Sequence, residues 1–350
     1  MTSGDRHRPL TIAIAHHIQD GPWGGGNAAV RAISEELESR GHSVRFDLNH
    51  PGIDLILMTE VRQRSPQVPF GHGAMARYRL SHPGAIIVHR INECDERKGT
   101  SGMNRRLRLA NLLAHHTVFI GEWLKDLDLW TSCGDDSFSV IPNGGDTRLF
   151  HDRGFEPWEG SGPIKLVTHH WGANRLKGFD VYEHLDALLD DPDQKARFQL
   201  TYIGNLPPGF AFRNVIHKTP LSGEPLAEEL RSHHAYITAS QNEPAGMHHI
   251  EGALSGLPLL FRNSGALPEY GTGFGVSFNG PLDVEQALAE MRRDYTLWRE
   301  RLAAYPFTAD LMAGRYADLF ENLCRDREPV LARRPMLHHP IAFLAAQVPF

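Results

Sequence analysis

The chain contains few cysteines, and they are not arranged for a disulfide framework or a metal site. Only three occur among 350 residues, at Cys94, Cys133 and Cys324. Cysteine-based zinc sites and small disulfide scaffolds both need several closely spaced cysteines, and an odd number leaves at least one unpaired. We therefore interpret all three as free thiols in a reducing compartment.

Long apolar runs and basic runs are also absent from the sequence. No run approaches the roughly 18 apolar residues of a membrane span, and residues 1–9 are polar, unlike a secretory signal. The formal net charge of -6 argues against a nucleic-acid or anionic-membrane partner. These absences predict a cytoplasmic protein without a transmembrane segment, and they still allow a local basic pocket for a small anion.

Short apolar runs alternate with helical patterns in two successive series, which is typical of parallel sheets built from βαβ units. The first series begins with LTIAIAHH, at residues 10–17, and continues to FSVIPN, at 138–143. The second begins with IKLVTHH, at residues 164–170. Helical patterns separate the strands, among them residues 102–115 and 122–133. The sequence thus predicts an α/β protein with two parallel sheets.

A turn-rich, proline-bearing segment, HDRGFEPWEGSGP, separates the two series. Such segments commonly link domains, so we place the domain boundary there. The predicted parts are two Rossmann-like domains, at residues 1–155 and 156–315, and a C-terminal segment, 316–350, that crosses back to the first domain.

Two glutamates flank a predicted helix start in SQNEPAGMHHIEGALSGLPLL, residues 240–260. The helical spacing of this segment predicts a helix that begins near Ala245. The N–H groups and positive dipole end at a helix start favour an anion such as a diphosphate, and Gly246 allows its close approach. Glu243 then lies just outside the helix and Glu251 about one and a half turns inside it. Taken alone, such glutamates are more often helix caps or solvated charges.

Two other segments place anion-binding groups at helix starts. GANRLKGFD, residues 172–180, follows a predicted strand, so that Arg175 and Lys177 lie where open α/β sheets bind ligands and could neutralise a diphosphate. WGGGNAAV, residues 23–30, exposes backbone N–H groups at a glycine-rich turn. The alternatives are solvated loop cations and a flexible glycine loop.

In this order, the segments resemble the GT-B glycosyltransferases, and specifically the retaining family 4 group. The resemblance is carried by GGGNAAVRAISEELESRGHSV, SVIPNGGDTRLF, NRLKGFDVY and NEPAGMHHIEGALSGLPLLFRNSGALPEY, and it extends to about Tyr316. The block with the paired glutamates is the specific part. The segment VHRINECDERKGT is similar to a feature of one subgroup. The resemblance implies two Rossmann-like domains whose parallel sheets face each other across a cleft, with the acceptor on the first and the donor nucleotide on the second.

The resemblance also implies a role for individual residues. Glu251 would bind the ribose hydroxyls of the donor, Glu243 would lie by the donor sugar, and Lys177 would neutralise the departing diphosphate. His89 is similar to a family histidine that reaches the sugar near its reacting carbon. The implied catalytic residues are His89, Lys177 and Glu243, and the implied donor-binding residues are Gly25, Gly26, Asn27, Arg175, Pro244, Ala245, Gly246, Met247 and Glu251.

Two positions depart from the family pattern. Arg175 precedes Lys177 by two residues, whereas the family arginine stands several residues ahead of its lysine. Another group could therefore fill the role of this arginine. Ala245 stands where a phenylalanine is frequent, which leaves the backbone N–H groups unaffected.

The implied reaction transfers a glycosyl group from a nucleoside diphosphate sugar, with a UDP-sugar favoured, to an acceptor hydroxyl with retention of configuration. A same-face displacement needs no side-chain base, because the leaving phosphate oxygen takes the acceptor proton. No cofactor or metal is expected. DLD, residues 126–128, imitates a metal-binding motif but lies in a predicted helix, and the pairs His169–His170 and His248–His249 are interpreted as surface or packed histidines.

Two other functions stay open. Gly24, Gly26 and Ala29, with Asp47 further on, match a dinucleotide fingerprint and would indicate an NAD-dependent oxidoreductase. The fingerprint should follow the first strand directly, whereas residues 16–23 intervene. A non-catalytic sugar-nucleotide-binding partner of another transferase would share the same binding residues.

Overall fold

The computed structural model describes residues 8–19, 25–62 and 65–334, and Leu344. Within this part of the chain no helix is long and apolar enough to cross a membrane. The chain divides into two compact units: the first comprises residues 1–95, 101–142 and 310–350, and the second comprises residues 96–100 and 143–309.

The described residues form twelve strands, thirteen α-helices and two short 3-10 helices. The strands are β1 (Thr11–Ile14), β2 (Ser43–Arg45), β3 (Leu55–Met58), β4 (Ile86–Ile91), β5 (His116–Phe119), β6 (Phe138–Val140), β7 (Ile164–His170), β8 (Phe198–Gly204), β9 (Ile216–Lys218), β10 (Ala235–Thr238), β11 (Leu259–Arg262) and β12 (Gly275–Phe278).

The helices connect and cover these strands. They are α1 (Gly25–Ser39), α2 (His72–Ser81), α3 (Met103–Asn111), α4 (Glu122–Lys125), α5 (Phe179–Leu188), α6 (Pro192–Lys195), α7 (Gly223–Arg231), α8 (Met247–Leu254), α9 (Leu267–Gly271), α10 (Val284–Arg293), α11 (Tyr295–Arg301), α12 (Ala309–Arg325) and α13 (Arg327–Ala332). The 3-10 helices are Arg175–Lys177 and Leu302–Ala304.

The first unit is built on a six-stranded parallel sheet in the order β2-β1-β3-β4-β5-β6. Its central strands β3 and β4 are buried along their whole length, because a parallel sheet is covered by helices on both faces. The core cluster on this sheet includes Met312, Tyr316 and Phe320 of α12. Helix α12 is also tied to this unit by Arg40, whose guanidinium lies 2.6 Å from Asp318.

The second unit has its own six-stranded parallel sheet, in the order β12-β11-β10-β7-β8-β9. The chain passes from β7 to β8 on one side and later returns to β10 on the other side of β7. This reversal makes the carboxyl ends of β7 and β10 neighbours, and ligands of open α/β sheets bind at such a point.

The two units divide the chain between residues 142 and 143 and again between residues 309 and 310. The sequence predicts these boundaries after residues 155 and 315. Asn143 already belongs to the second unit, where its N–H donates to the hydroxyl of Tyr270 at 2.8 Å. Phe155 lies under the guanidinium of Arg299 at 4.8 Å. The second limit lies at the start of α12, because this helix continues without a break past residue 315.

Local differences from the sequence predictions have physical causes. The helix predicted over 122–133 ends at Lys125, and Asp128 beyond it pairs with Arg108 at 2.6 Å. Helix α2 has no apolar stripe, because its buried face includes His72, Gly73 and Arg79, and periodicity does not predict it.

Candidate functional site

The loops after β7 and β10 meet because these strands are neighbours in the sheet of the second unit. After β7 the chain forms the 3-10 helix Arg175–Lys177, which ends at Gly178. Gly178 has a φ of +101°, and a Cβ atom there would lie 2.4 Å from the Cβ of Ala239 in the loop after β10. Only glycine fits this conformation and this close approach. The contact holds Lys177 beside the residues that follow β10.

Glu243 lies in the loop after β10 and is held by two cations. Its Oε2 atom is 2.5 Å from Nζ of Lys177, and its Oε1 atom is 3.8 Å from Nε of Arg97. Its side chain is only 3% exposed. Burial by itself raises the pKa of this carboxyl, but the charges of Lys177 and Arg97 outweigh burial and lower the pKa to about 2. Glu243 is therefore a carboxylate at neutral pH.

The start of α8 lies beside this carboxylate. Gly246 precedes the helix with an extended backbone and has no side chain that could cap it. A Cβ atom at Gly246 would lie 3.3 Å from Cδ of Glu243. The N–H groups of a first helical turn and the positive end of the helix dipole attract anions. The helix start thus adds to the positive charge of Lys177 and Arg97.

The short connection from Glu243 to α8 is firmly held. Pro244 and Ala245 are buried, and the carbonyl of Ala245 accepts a hydrogen bond from Nδ2 of Asn143 at 2.9 Å. Gly246 and Met247 are half-buried. The connection therefore presents backbone groups at a defined position.

Three histidines of the elements that form the site are buried: His170 at the end of β7, and His248 and His249 in α8. Nε2 of His170 is 2.9 Å from the hydroxyl of Tyr182, and Nε2 of His248 is 2.8 Å from the hydroxyl of Thr238. Burial lowers the pKa of His170 and of His248 well below the usual value, and it lowers the pKa of His249 to about 3. These rings are uncharged at neutral pH, so they add no positive charge to the site.

Glu251 lies in the second turn of α8 and contacts His169. The hydroxyl of Tyr236 accepts a hydrogen bond from the backbone N–H of His169 at 2.9 Å and lies 3.1 Å from Nδ1 of its ring. With this hydroxyl donating to Nδ1, Nε2 carries the ring proton and donates to Oε2 of Glu251 at 2.8 Å. His169 thereby orients the carboxylate of Glu251, whose side chain is 18% exposed.

Arg175 lies near Lys177 but has a different environment. Its guanidinium is 2.5 Å from Oε1 of Glu183, and its side chain is 64% exposed. It also lies 6.0 Å from the ring of Phe210. The structure therefore brings Lys177 and Glu243 together and places the charged group of Arg175 with α5.

His89, Gly25, Gly26 and Asn27 belong to the first unit. His89 is fully buried in β4, with Nδ1 3.2 Å from the amide of Asn111, and burial lowers its pKa to about 3. Its ring is therefore uncharged at neutral pH.

The glycine turn leads into α1, where Gly25 and Gly26 are the first two residues. Asn27 bonds both backbone groups of Gln19, accepting from its N–H at 2.8 Å and donating to its carbonyl at 2.9 Å. Gly24 lies outside the described residues. A dinucleotide fingerprint requires glycines that directly follow the first strand. Here β1 ends at Ile14, so the glycines do not follow it directly.

Sequence reasoning did not assign Arg97 or His169 to the site. Arg97 lies in VHRINECDERKGT, a segment singled out for its resemblance but given no role, and residues 96–100 pack with the second unit. His169 is the second-last residue of β7, the strand that leads to Lys177, and this position is the signal that could have identified it. Among the described residues, no group of three or more His, Cys, Asp or Glu side chains could hold a metal ion.

No protein-family model and no curated protein sequence matches the chain. Solved structures do match along most of its length. Sucrose-phosphate synthase from Thermosynechococcus elongatus is 17% identical with a TM-score of 0.62, and the match covers 91% of this chain and 100% of that chain.

Two further similar structures contain bound nucleotides. The catalytic domain of starch synthase IV from Arabidopsis thaliana, bound to ADP and acarbose, is 12% identical with a TM-score of 0.64, over 91% of this chain and 99% of that chain. HepE of Anabaena, in complex with UDP-glucose, is 14% identical with a TM-score of 0.58, over 91% of this chain and 98% of that chain. Together with the two six-stranded parallel sheets, these matches show that the chain has the two-domain α/β GT-B fold.

Proposed function

We propose that the protein is a retaining glycosyltransferase of the family 4 type, which moves a sugar from a nucleoside diphosphate sugar to an acceptor hydroxyl. The observation that carries this proposal is the contact of Lys177 with buried Glu243 beside the start of α8. Cation and helix start together suit a diphosphate. The nucleotides bound by starch synthase IV and HepE support a donor of this class, and UDP-glucose in HepE favours uridine.

Lys177 and the N–H groups of α8 would stabilise the negative charge that develops on the departing diphosphate. Because the pKa of Glu243 is lowered to about 2, this residue is a hydrogen-bond acceptor and not a proton donor at neutral pH. It would hold Lys177 in position and accept a bond from a donor-sugar hydroxyl. The leaving phosphate oxygen would take the acceptor proton, so that no side-chain base is needed.

Glu251 would bind the ribose hydroxyls of the donor. Its carboxylate is oriented by His169 and lies on the same helix whose start would receive the diphosphate. The ribose and the diphosphate of the donor would therefore contact adjacent turns of α8. In this mechanism Lys177 and the helix start supply the positive charge, and we propose that transfer requires no metal. We also propose that the protein acts in the cytoplasm.

Calorimetry of the purified protein with UDP, GDP, ADP, dTDP and NAD(H), each with and without EDTA, tests the proposal. We expect saturable binding of one nucleoside diphosphate that EDTA leaves unchanged. Binding of NAD(H) alone would overturn the proposal in favour of an oxidoreductase, and activity that EDTA abolishes and a divalent ion restores would overturn its metal-free part.

Retention and turnover need a second measurement. With the donor identified, NMR of the first-formed product would give its anomeric configuration, which we expect to match that of the donor. Nucleotide binding without any transfer to a broad panel of hydroxyl acceptors would instead indicate a non-catalytic binding partner.

A further inference from the structure

We infer that Arg97 is a second cation for the donor diphosphate, supplied by residues 96–100. The inference rests on the proposed function. It gives Arg97 the role of neutralising the diphosphate, which the sequence pattern had given to Arg175. It concerns a residue of the second unit, since residues 96–100 pack with that unit although the chain on either side belongs to the first.

The geometry at Glu243 places Arg97 and Lys177 on the same carboxylate. Lys177 faces one oxygen at 2.5 Å, and Arg97 faces the other at 3.8 Å. The carboxylate is 3% exposed, whereas the side chains of Lys177 and Arg97 are 13% and 30% exposed. Both cations therefore pair with a buried anion and retain exposed surface for a ligand.

Residues 96–100 are attached to both loops that form the site. The carbonyl of Glu96 accepts a hydrogen bond from Nδ2 of Asn242, next to Glu243, at 3.3 Å. On the other side, a Cβ atom at Gly99 would lie 3.7 Å from the side chain of Leu176, next to Lys177. Arg97 is thus held between two anchors on the loops after β7 and β10.

The charges also favour Arg97 over Arg175. Within the described part of the chain, Lys177 and Arg97 both pair with the one carboxylate of Glu243, and a diphosphate would complement these two cations. A guanidinium can donate two parallel hydrogen bonds to phosphate oxygens, which complements the single ammonium of Lys177. Arg175 is paired with Glu183 and mostly exposed.

Calorimetry with Arg97→Ala, Arg97→Lys and Arg175→Ala tests the inference. The probes are UDP, GDP and ADP, each compared with its own nucleoside. We expect Arg97→Ala to weaken binding of the diphosphate by roughly tenfold or more while the nucleoside affinity stays the same, and Arg97→Lys to recover part of the loss. Arg213→Ala is the matched control, because Arg213 is 64% exposed and pairs with Asp190 at 2.9 Å.

The outcomes separate the inference from the proposed function. If Lys177→Ala weakens diphosphate binding and Arg97→Ala does not, Arg97 has no role and the proposed function stands. A wild-type protein that binds none of the three diphosphates overturns both. If Arg97→Ala fails to fold, Arg97→Gln is measured instead, and an unchanged ratio of diphosphate to nucleoside affinity would overturn the inference.

Discussion

Both sheets have strands followed by a loop and a helix start, but the side chains near these loops differ in what they contact. In the second unit, the loops after β7 and β10 bring Lys177 and Glu243 into contact beside a helix start. In the first unit, Asn27 and His89 contact the protein itself: Asn27 bonds both backbone groups of Gln19, and His89 is buried against Asn111. The charged site of the second unit therefore depends on charged side chains from neighbouring loops as well as on a strand, a loop and a helix start.

The largest expected effect comes from Lys177→Ala, which removes the cation closest to Glu243 in the site of the second unit. We expect kcat to fall by roughly 100-fold to 1,000-fold, because the developing charge on the diphosphate loses its stabilisation. Initial rates and UDP affinity should be measured together. Lys218→Ala is the control, since Lys218 is 43% exposed and pairs with Glu229. Equal losses in kcat and in UDP affinity would mark Lys177 as an ordinary binding contact.

Glu251→Ala should give the next largest effect, confined to the nucleoside part of the donor. Hydrogen bonds to a charged acceptor contribute about 1.5–3 kcal/mol each, so we expect uridine and UDP affinity to fall by about tenfold or more. Inorganic pyrophosphate is the control ligand, whose affinity should not change. His169→Ala should show a smaller loss of the same kind, because it only orients Glu251. Unchanged uridine affinity in Glu251→Ala would contradict the ribose role.

Asn27→Ala tests the other side of the comparison, in the first unit. The variant loses two hydrogen bonds to the backbone of Gln19, and we expect the free energy of unfolding to fall by about 2 kcal/mol. Urea unfolding monitored by circular dichroism measures this change. Asn49→Ala is a suitable control, because Asn49 is exposed. Equal stability of the two variants would show that the contact of Asn27 with Gln19 contributes nothing to the fold.

His249→Leu gives the smallest effect and tests whether the histidines of the second unit are uncharged. Burial lowers the pKa of His249 from 6.5 to about 3. As the pH falls below 6.5, the unfolded chain takes up a proton that the folded protein does not, so stability is lost between pH 6.5 and about pH 3. At pH 5.5 this loss amounts to about 1.4 kcal/mol.

The measurement for His249 is urea unfolding of wild type and His249→Leu at pH 8 and pH 5.5. Between pH 8 and pH 5.5, we expect the free energy of unfolding to fall by about 1.4 kcal/mol less in His249→Leu than in wild type. His184→Leu is the control, since the His184 side chain is 32% exposed. The same pH dependence in wild type and His249→Leu would show that folding does not lower the pKa of His249.

Much of the fold could be predicted from local patterns. The segment IKLVTHH is a strand over the predicted residues 164–170, because a buried parallel strand is a short, nearly continuous apolar run. Helix α2 and strand β12 were missed. Helix α2 buries histidine, glycine and arginine, and short segments of this kind carry no periodic signal.

The sequence by itself determined the two βαβ series and the positions of Lys177, Glu243 and Glu251 relative to their strands and helix, because periodicity and helix starts are local properties of the chain. Only the tertiary structure decided which side chains meet. Arg97 reaches Glu243 because residues 96–100 pack on the second unit, and His169 orients Glu251 because β7 lies next to β10 in the sheet. Contacts between residues far apart in sequence depend on strand order and packing, and no local pattern encodes them.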